Sequence, residues 1–296
     1  MLYINQPSII VGKHQNTLAE INLEFVRRLN LKVVRRLSGG GTVYHDLGNL
    51  NYSFIANGSE GNLVDFKKFT QPIIDVLQEL GIDAKIGGKN DIRVGDKKIS
   101  GNAEHIYKNR VLHHGTLLFS SQLAELNESI RIDPNSYIDK SVKSIRSRVA
   151  NISEYLKESI SIDEFAALIA KHIKQTMPTS VDYHLTDNDL VSINKLIKSK
   201  YSTWEWNFGY SPDYSLSRNV SEGNNTIKIR INVEKGLIKG VKIENESCQS
   251  QKLQELEQIL VGCQHEAKAI SAKLSSINLA EYLPNISTGT LLKGLF

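Results

Sequence analysis

Arg35-Arg36-Leu37-Ser38-Gly39-Gly40-Gly41-Thr42-Val43-Tyr44-His45-Asp46 is the stretch on which the reading of this 296-residue chain turns. Residues 32–37 read as a strand that runs into three consecutive glycines. Glycine amides are covered by no Cβ, so they can approach an anion closely, and Arg36 sets a fixed positive charge beside them. The string is neither Gly-x-x-x-x-Gly-Lys-Ser/Thr nor Gly-x-Gly-x-x-Gly, so neither common phosphate-binding fingerprint applies. On this string alone, a phosphate-binding loop and a glycine-rich surface turn both stay open.

Upstream, Leu2–Ile4 and Ser8–Val11 read as short strands parted by Pro7, and Ile21, Phe25 and Leu29 predict an amphipathic helix over 19–30. Downstream, 50–54 alternates as a half-buried strand does. Phe66, Phe69, Ile73, Val76, Leu77 and Leu80 predict a helix ended by Gly81. Segments 92–94 and 98–100, joined by Gly95-Asp96, predict a hairpin, and 113–119 a further strand. Ser161-Ile162-Asp163-Glu164 has the spacing of a capping box ahead of a helix closed by Pro178. A helix over 187–201 leads into 204–212, the expected boundary. Beyond it, Ile227, Ile229, Ile231 and Val233 alternate, Lys235-Gly236 turns the chain into a second strand through Ile243, and helices over 251–261 and 266–277 flank Gly262. The pattern predicts an α+β protein, with a mixed-sheet body and flanking helices over 1–208 and a small α+β domain over 209–296.

Composition narrows the function. The chain carries 36 Lys+Arg and 32 Asp+Glu, is 40% hydrophobic and 23% charged, and so is globular rather than disordered. No apolar run reaches bilayer length, and the first residues lack a basic region followed by an apolar stretch. The expectation is a cytoplasmic protein with no membrane partner. Residues 1–148 hold 20 basic and 15 acidic side chains, against 16 and 17 in 149–296. That basic half suits a nucleic acid, a phosphorylated ligand or an acidic protein, or is a solvated face. Without aromatic-rich strings of the RNA-binding kind or a zinc finger, no nucleic-acid partner is expected. The two cysteines, Cys248 and Cys263, make neither a disulfide framework nor a four-ligand zinc site. Both lie beyond residue 212, so the body holds no cysteine nucleophile. Gly-x-Ser-x-Gly, His-Glu-x-x-His and Cys-x-x-Cys are all absent, which removes the corresponding hydrolases and zinc enzymes.

Two further segments carry candidate chemistry. In 87–103, Asn90 and Asp91 precede a strand and Lys98 begins its partner, so a hairpin could present the Lys98 ammonium to a ligand. Read alone, a charged hairpin tip is the plainer account. His113 and His114 are adjacent on a strand and point to opposite faces, which makes joint ligation of one metal difficult.

Taken together, Arg-Arg-x-Ser-Gly-Gly-Gly-Thr-Val-Tyr-His-Asp-x-Gly-Asn (35–49), Lys-Asn-Asp (89–91), Lys-Ile-Ser-Gly (98–101), His-His-Gly-Thr-Leu-Leu (113–118), Ser-Ile-Arg-Ser-Arg-Val-Ala-Asn-Ile (144–152) and Trp-Glu-Trp-Asn-Phe-Gly (204–209) resemble the lipoate–protein ligase family. The resemblance implies a biotin/lipoate ligase-like body and an accessory C-terminal domain. It also implies ATP-dependent ligation in two steps. The lipoate carboxylate displaces pyrophosphate from ATP, and an acceptor lysine then displaces AMP from lipoyl-AMP. Acceptors in this family are lipoyl domains of 2-oxoacid dehydrogenase complexes and the glycine cleavage H protein, and the acyl chain is lipoate or octanoate. By the same resemblance, Arg36, Ser38, Gly39, Gly40, Gly41, Thr42, Val43 and Tyr44 hold the nucleotide. Asn90 and Asp91 lie near the phosphates, with Asp91 a ligand of Mg²⁺. Lys98 is the catalytic lysine bridging the lipoyl carbonyl oxygen and the α-phosphate, and His114 lines the acyl pocket or orients its neighbours.

The rivals are a lipoyltransferase accepting only preformed lipoyl-AMP and an octanoyl/lipoyl amidotransferase. The second needs a cysteine thioester that the body cannot form. Biotin ligase is set aside because its Gly-Arg-Gly-Arg string is missing. The resemblance also expects a strand and a helix with an Asn-Leu-Ala-x-Glu-Glu string before 2–11, where this sequence has Met1.

Overall fold

A computed structural model describes residues 1–57, 64–88, 90–130, 136–246 and 248–296. In chain order the elements are β1 (Leu2–Ile4), β2 (Ser8–Val11), α1 (Thr17–Glu20), α2 (Leu23–Arg28), β3 (Lys32–Arg35), β4 (Val43–His45), β5 (Asn49–Asn57), α3 (Phe66–Glu79), β6 (Ala84–Gly87), β7 (Asp91–Val94), β8 (Lys97–Tyr107) and β9 (Arg110–Leu118). They continue with α4 (Leu123–Ser129), β10 (Tyr137–Asp139), α5 (Ile162–Thr176), α6 (Asp187–Leu196), β11 (Tyr214–Glu222), β12 (Asn225–Glu234), β13 (Leu237–Glu244), α7 (Ser250–Leu260), α8 (Ala267–Leu274) and α9 (Thr288–Leu295). The chain divides into two compact units. One takes 1–13, 22–130 and 144–195; the other takes 14–21, the described part of 131–143, and 196–296.

In the first unit, a six-stranded sheet runs in the order β1-β5-β9-β8-β7-β6, with every neighbour antiparallel. A second sheet, β3-β2-β4, pairs β2 parallel with β3 and antiparallel with β4. Helices α3 and α5 cover the larger sheet, and Tyr52, Ile73, Leu77, Ile92, Leu117 and Phe165 share its buried core. α3 begins where the Asp65 carboxylate accepts from Lys68 N at 3.0 Å and stops before Gly81, as expected. The capping box of α5 is present in both directions: Glu164 N donates to Ser161 Oγ at 3.1 Å, and Ser161 N donates to Glu164 Oε2 at 2.7 Å.

The helix expected over 19–30 is two helices. The Asn22 side chain accepts from Phe25 N at 3.2 Å and so starts α2 instead of prolonging α1. Ile21 and Phe25 are buried as the spacing required, whereas Leu29 is exposed. The strand expected over 32–37 ends at Arg35, where Arg36 turns into the glycine segment. The hairpin expected around Gly95-Asp96 forms, and β8 runs on well past 100.

In the second unit the sheet order is β10-β11-β12-β13, all antiparallel. Ile227, Ile229, Ile231 and Val233 are buried along one face of β12. The turn to β13 uses Lys235 at φ 49 and Gly236 at φ 76, α7 packs on β13, and α9 packs on β11 and β12. The His265 imidazole lies between Tyr214 Oη and the Leu295 carbonyl, each at 2.5 Å, and fastens the end of α9. Strands β10 and β11 and helices α4 and α9 were not legible in the sequence. The segment 187–201 is helical, but its last turn, Ile197–Tyr201, widens to π-type geometry. No helix among the described residues is long and apolar enough to cross a membrane.

Candidate active site

The glycine segment is shaped by Arg36. Its Nη2 donates to the carbonyls of Gly39 and Gly41, both at 2.7 Å, its Nη1 to Ile10 O at 3.0 Å, and its Nε to Ser38 Oγ at 3.1 Å. Three of the guanidinium's five N–H groups therefore close the loop on itself, and a fourth ties it to β2. Among the described residues the amides of Gly39, Gly40 and Gly41 have no hydrogen-bond acceptor and stay available to an anion. Gly40 sits at φ 89, and a Cβ there would come within 3.1 Å of Arg36 Nη2. Burial lowers the Arg36 pKa to about 10, so it remains charged at neutral pH. Thr42 N donates to Ser144 Oγ at 2.9 Å, and a Cβ on Gly41 would meet that oxygen at 3.1 Å.

Ser38 couples the loop to β9. Its hydroxyl lies 2.6 Å from His114 Nε2. Because Arg36 can only donate to Ser38 Oγ, the serine proton goes to His114, whose Nε2 is then the acceptor. Burial, then the charge of Arg36, lowers the His114 pKa to about 4, so the ring is neutral at physiological pH. Tyr44 turns its ring into the core, with its hydroxyl 2.5 Å from Glu125 Oε2, so it offers a ligand its backbone alone.

A β-bulge builds the opposite wall. The β7–β8 register passes from Ile92↔Ser100 to Arg93↔Lys98, leaving Ile99 as an extra residue on β8. The bulge turns Lys98 onto the face shared by the pair Asp91↔Gly101. The Lys98 Cε and Nζ would each lie 3.1 Å from a Cβ on Gly101, so the side chain crosses closely over that glycine. Among the described residues the Lys98 ammonium has no hydrogen-bond or ion-pair partner. Burial lowers its pKa, opposed by the charge of Asp91 and reinforced by those of Arg93 and Arg36. The main chain of Lys98 is pinned by its N to Arg148 O at 2.8 Å and by Ala150 N to its O at 3.1 Å.

The structure thus brings Arg36, Ser38, Gly39, Gly41 and His114 into one hydrogen-bonded group with Gly40 between them in the loop, while Lys98 and Asp91 share a sheet face. Asn90 is exposed at the start of β7, with its amide 2.7 Å from Asn102 O. Lys89, beside it, lies outside the described residues. Asp91 Oδ2 accepts from Arg93 Nε at 2.8 Å. Among the described residues no three His, Cys, Asp or Glu side chains gather as a metal cluster. A single carboxylate suits Mg²⁺, which is commonly held by one or two carboxylates and substrate phosphates. Ser144 and Asn102 were inside quoted or neighbouring strings, but nothing in their residue type signalled contact with the loop or with Asn90.

Residues 1–174 match the model of the lipoyl protein ligase A/B catalytic domain, and 211–295 that of the bacterial lipoate protein ligase C-terminus. The chain belongs to the lipoate–protein ligase family. Lipoate–protein ligase 1 of Staphylococcus aureus is 42% identical over 293 residues, covering 99% of this chain and 89% of the relative. A lipoate–protein ligase A crystal structure bound with ATP is 28% identical with a TM-score of 0.61, covering 71% of this chain and 85% of that one. The T. acidophilum protein Ta0514 with bound lipoic acid is 28% identical with a TM-score of 0.59, covering 70% of this chain and 84% of that one. The α+β architecture is that of these lipoate–protein ligases.

Proposed function

We propose that this member of the family is an ATP-dependent lipoate–protein ligase. The observation that carries the reading is the unpartnered, half-buried Lys98 ammonium, held on a bulged strand in the same electrostatic field as Arg36 and Asp91. A carboxylate and a triphosphate repel each other, so adenylation needs fixed positive charge where the two meet. Loop amides of 39–41 cradle phosphate oxygens, and Arg36 keeps that loop in shape from behind. Lys98 donates to the lipoate carboxylate and the α-phosphate together. A lipoate oxygen bonds to the α-phosphorus as the bond to pyrophosphate breaks. In the second step the acceptor lysine amine attacks the acyl carbon, AMP leaves with the bonding pair, and Lys98 stabilises the developing oxyanion. Asp91 would hold Mg²⁺, which supplies charge neutralisation for the departing pyrophosphate. No described side chain is assigned as base for the incoming amine; its proton goes to water.

The reading assigns adenylation and acyl transfer to 1–208, which contains every residue named for the chemistry, and an accessory role to 209–296. Substrates are lipoate or octanoate, and acceptors are lipoyl domains of 2-oxoacid dehydrogenase complexes and the glycine cleavage H protein, in a cytoplasmic setting that supplies ATP.

The test is acylation of a purified acceptor domain, followed by mass spectrometry. Modification with lipoate, ATP and Mg²⁺ is the expected result. Modification only from synthetic lipoyl-AMP would make the protein a transfer-only enzyme. A Cys248→Ser, Cys263→Ser protein should retain full activity; loss of transfer with the fold intact would favour a thioester route.

A further inference from the structure

We infer that Asn102 is a positioning residue, which fixes Asn90 beside Asp91 and Lys98 and so governs ATP handling; the inference rests on the ligation reading above. Asn102 pairs with Gly115, between the pairs Asp91↔Gly101 and Ala103↔His114. Neighbouring strand residues alternate faces, so the Asn102 side chain projects to the core side, beneath the face that carries Lys98 and His114. It is buried there, and its amide is fully engaged. Its Oδ1 accepts from the Tyr52 hydroxyl. Its Nδ2 donates to Asn90 O at 3.2 Å and to Ser100 Oγ at 3.3 Å. The backbone adds Asn102 N to Asn90 O at 2.9 Å and Asn90 Nδ2 to Asn102 O at 2.7 Å.

Among the described residues, every hydrogen bond of Asn90 therefore ends on Asn102. Asn90 lies just outside the β7 ladder and its side chain is exposed, so among the described residues Asn102 is its anchor, whereas Asp91 is laddered to Gly87 and Gly101. Tyr52 holds the clamp in turn: a proton donor on Asn102 Oδ1 orients the amide so that Nδ2 faces Asn90. Room for the pair depends on Gly115, where a Cβ would come 1.9 Å from Asn102 Oδ1 and 2.7 Å from the Tyr52 ring. A buried amide beside Ile92 and Leu117 is costly unless satisfied, and here three side-chain bonds satisfy it. Because Lys98 is held separately by Arg148 and Ala150, and Asp91 by its ladder pairs, loosening Asn102 shifts Asn90 without releasing Lys98.

The experiment compares wild type with Asn102→Ala in two assays, lipoate-dependent ATP–pyrophosphate exchange and transfer from synthetic lipoyl-AMP to an acceptor domain. The KM for ATP in exchange should rise about tenfold with a smaller change in kcat, while transfer stays within about twofold. An equal loss in both assays, or no loss in either, overturns the inference. If Asn102→Ala does not fold, Tyr52→Phe removes only the orienting hydroxyl and should show the same bias at smaller size; an unbiased result overturns it. Calorimetric affinity for Mg·ATP reads the effect without turnover: weakening by Asn102→Ala is expected, and unchanged affinity contradicts it. A wild type that binds Mg·ATP but gives no exchange overturns the ligation reading alone.

Discussion

Lys98 shows how much one residue's role depends on its surroundings. In the sequence it is one of two adjacent lysines near a hairpin turn, a position usually taken by solvated charge. The bulge at Ile99 and the bare Gly101 separate it from Lys97, which is exposed. Lys98→Ala should lower both half-reactions by on the order of 10²-fold, as expected for loss of one fixed charge at a developing oxyanion. Steady-state rates of exchange and transfer check this, and a near-normal rate in either would contradict the double role. Arg36 was legible as a charge beside glycines, but not as the group that folds them. Its carbonyl partners on 10, 39 and 41 depend on a loop conformation that no spacing encodes. Arg36→Lys should therefore raise the KM for ATP more than tenfold, because an ammonium cannot serve four carbonyl and hydroxyl partners in a planar fork. An unchanged KM would show that the loop holds its shape unaided.

At the scale of elements, legibility followed local signals. The capping box of α5, the Gly81 stop of α3 and the β12 alternation are written within a few residues of where they act. Ser161→Ala should cost about 1 kcal/mol of unfolding free energy with activity unchanged, read by denaturant titration. No measurable loss would mean that packing alone sets that helix end. The break between α1 and α2 was missed because an apolar four-residue spacing continues across it. Asn22 capping wins over that periodicity, and 14–21 and 22–130 belong to different compact units. β11, with serines at 215, 217 and 221, lacks an apolar run, and its pairing with β12 is what makes it a strand.

For the whole molecule, the family and the α+β class were readable from ordered strings spread along the chain. The interleaved division into two units was not, since it depends on which distant segments pack together. A property of the folded molecule follows from four imidazoles, three buried and one, His114, half-buried. Burial lowers the pKa of His45 to about 3 and those of His113, His114 and His265 to about 4, from an ordinary value of 6.5. Below pH 6.5 the unfolded chain binds protons that the folded chain refuses. Stability should therefore fall as pH drops from about 6.5 toward 4 and level off below the folded values. Denaturant midpoints across that range test it, and His113→Gln should reduce the slope; a flat wild-type profile would contradict the account.

The central claim is that this chain activates lipoate with ATP, and isotope exchange between pyrophosphate and ATP measures it most directly. The purified protein with Mg²⁺ should exchange label only when lipoate or octanoate is added. Absence of exchange under those conditions, or exchange independent of the acid, would contradict the claim.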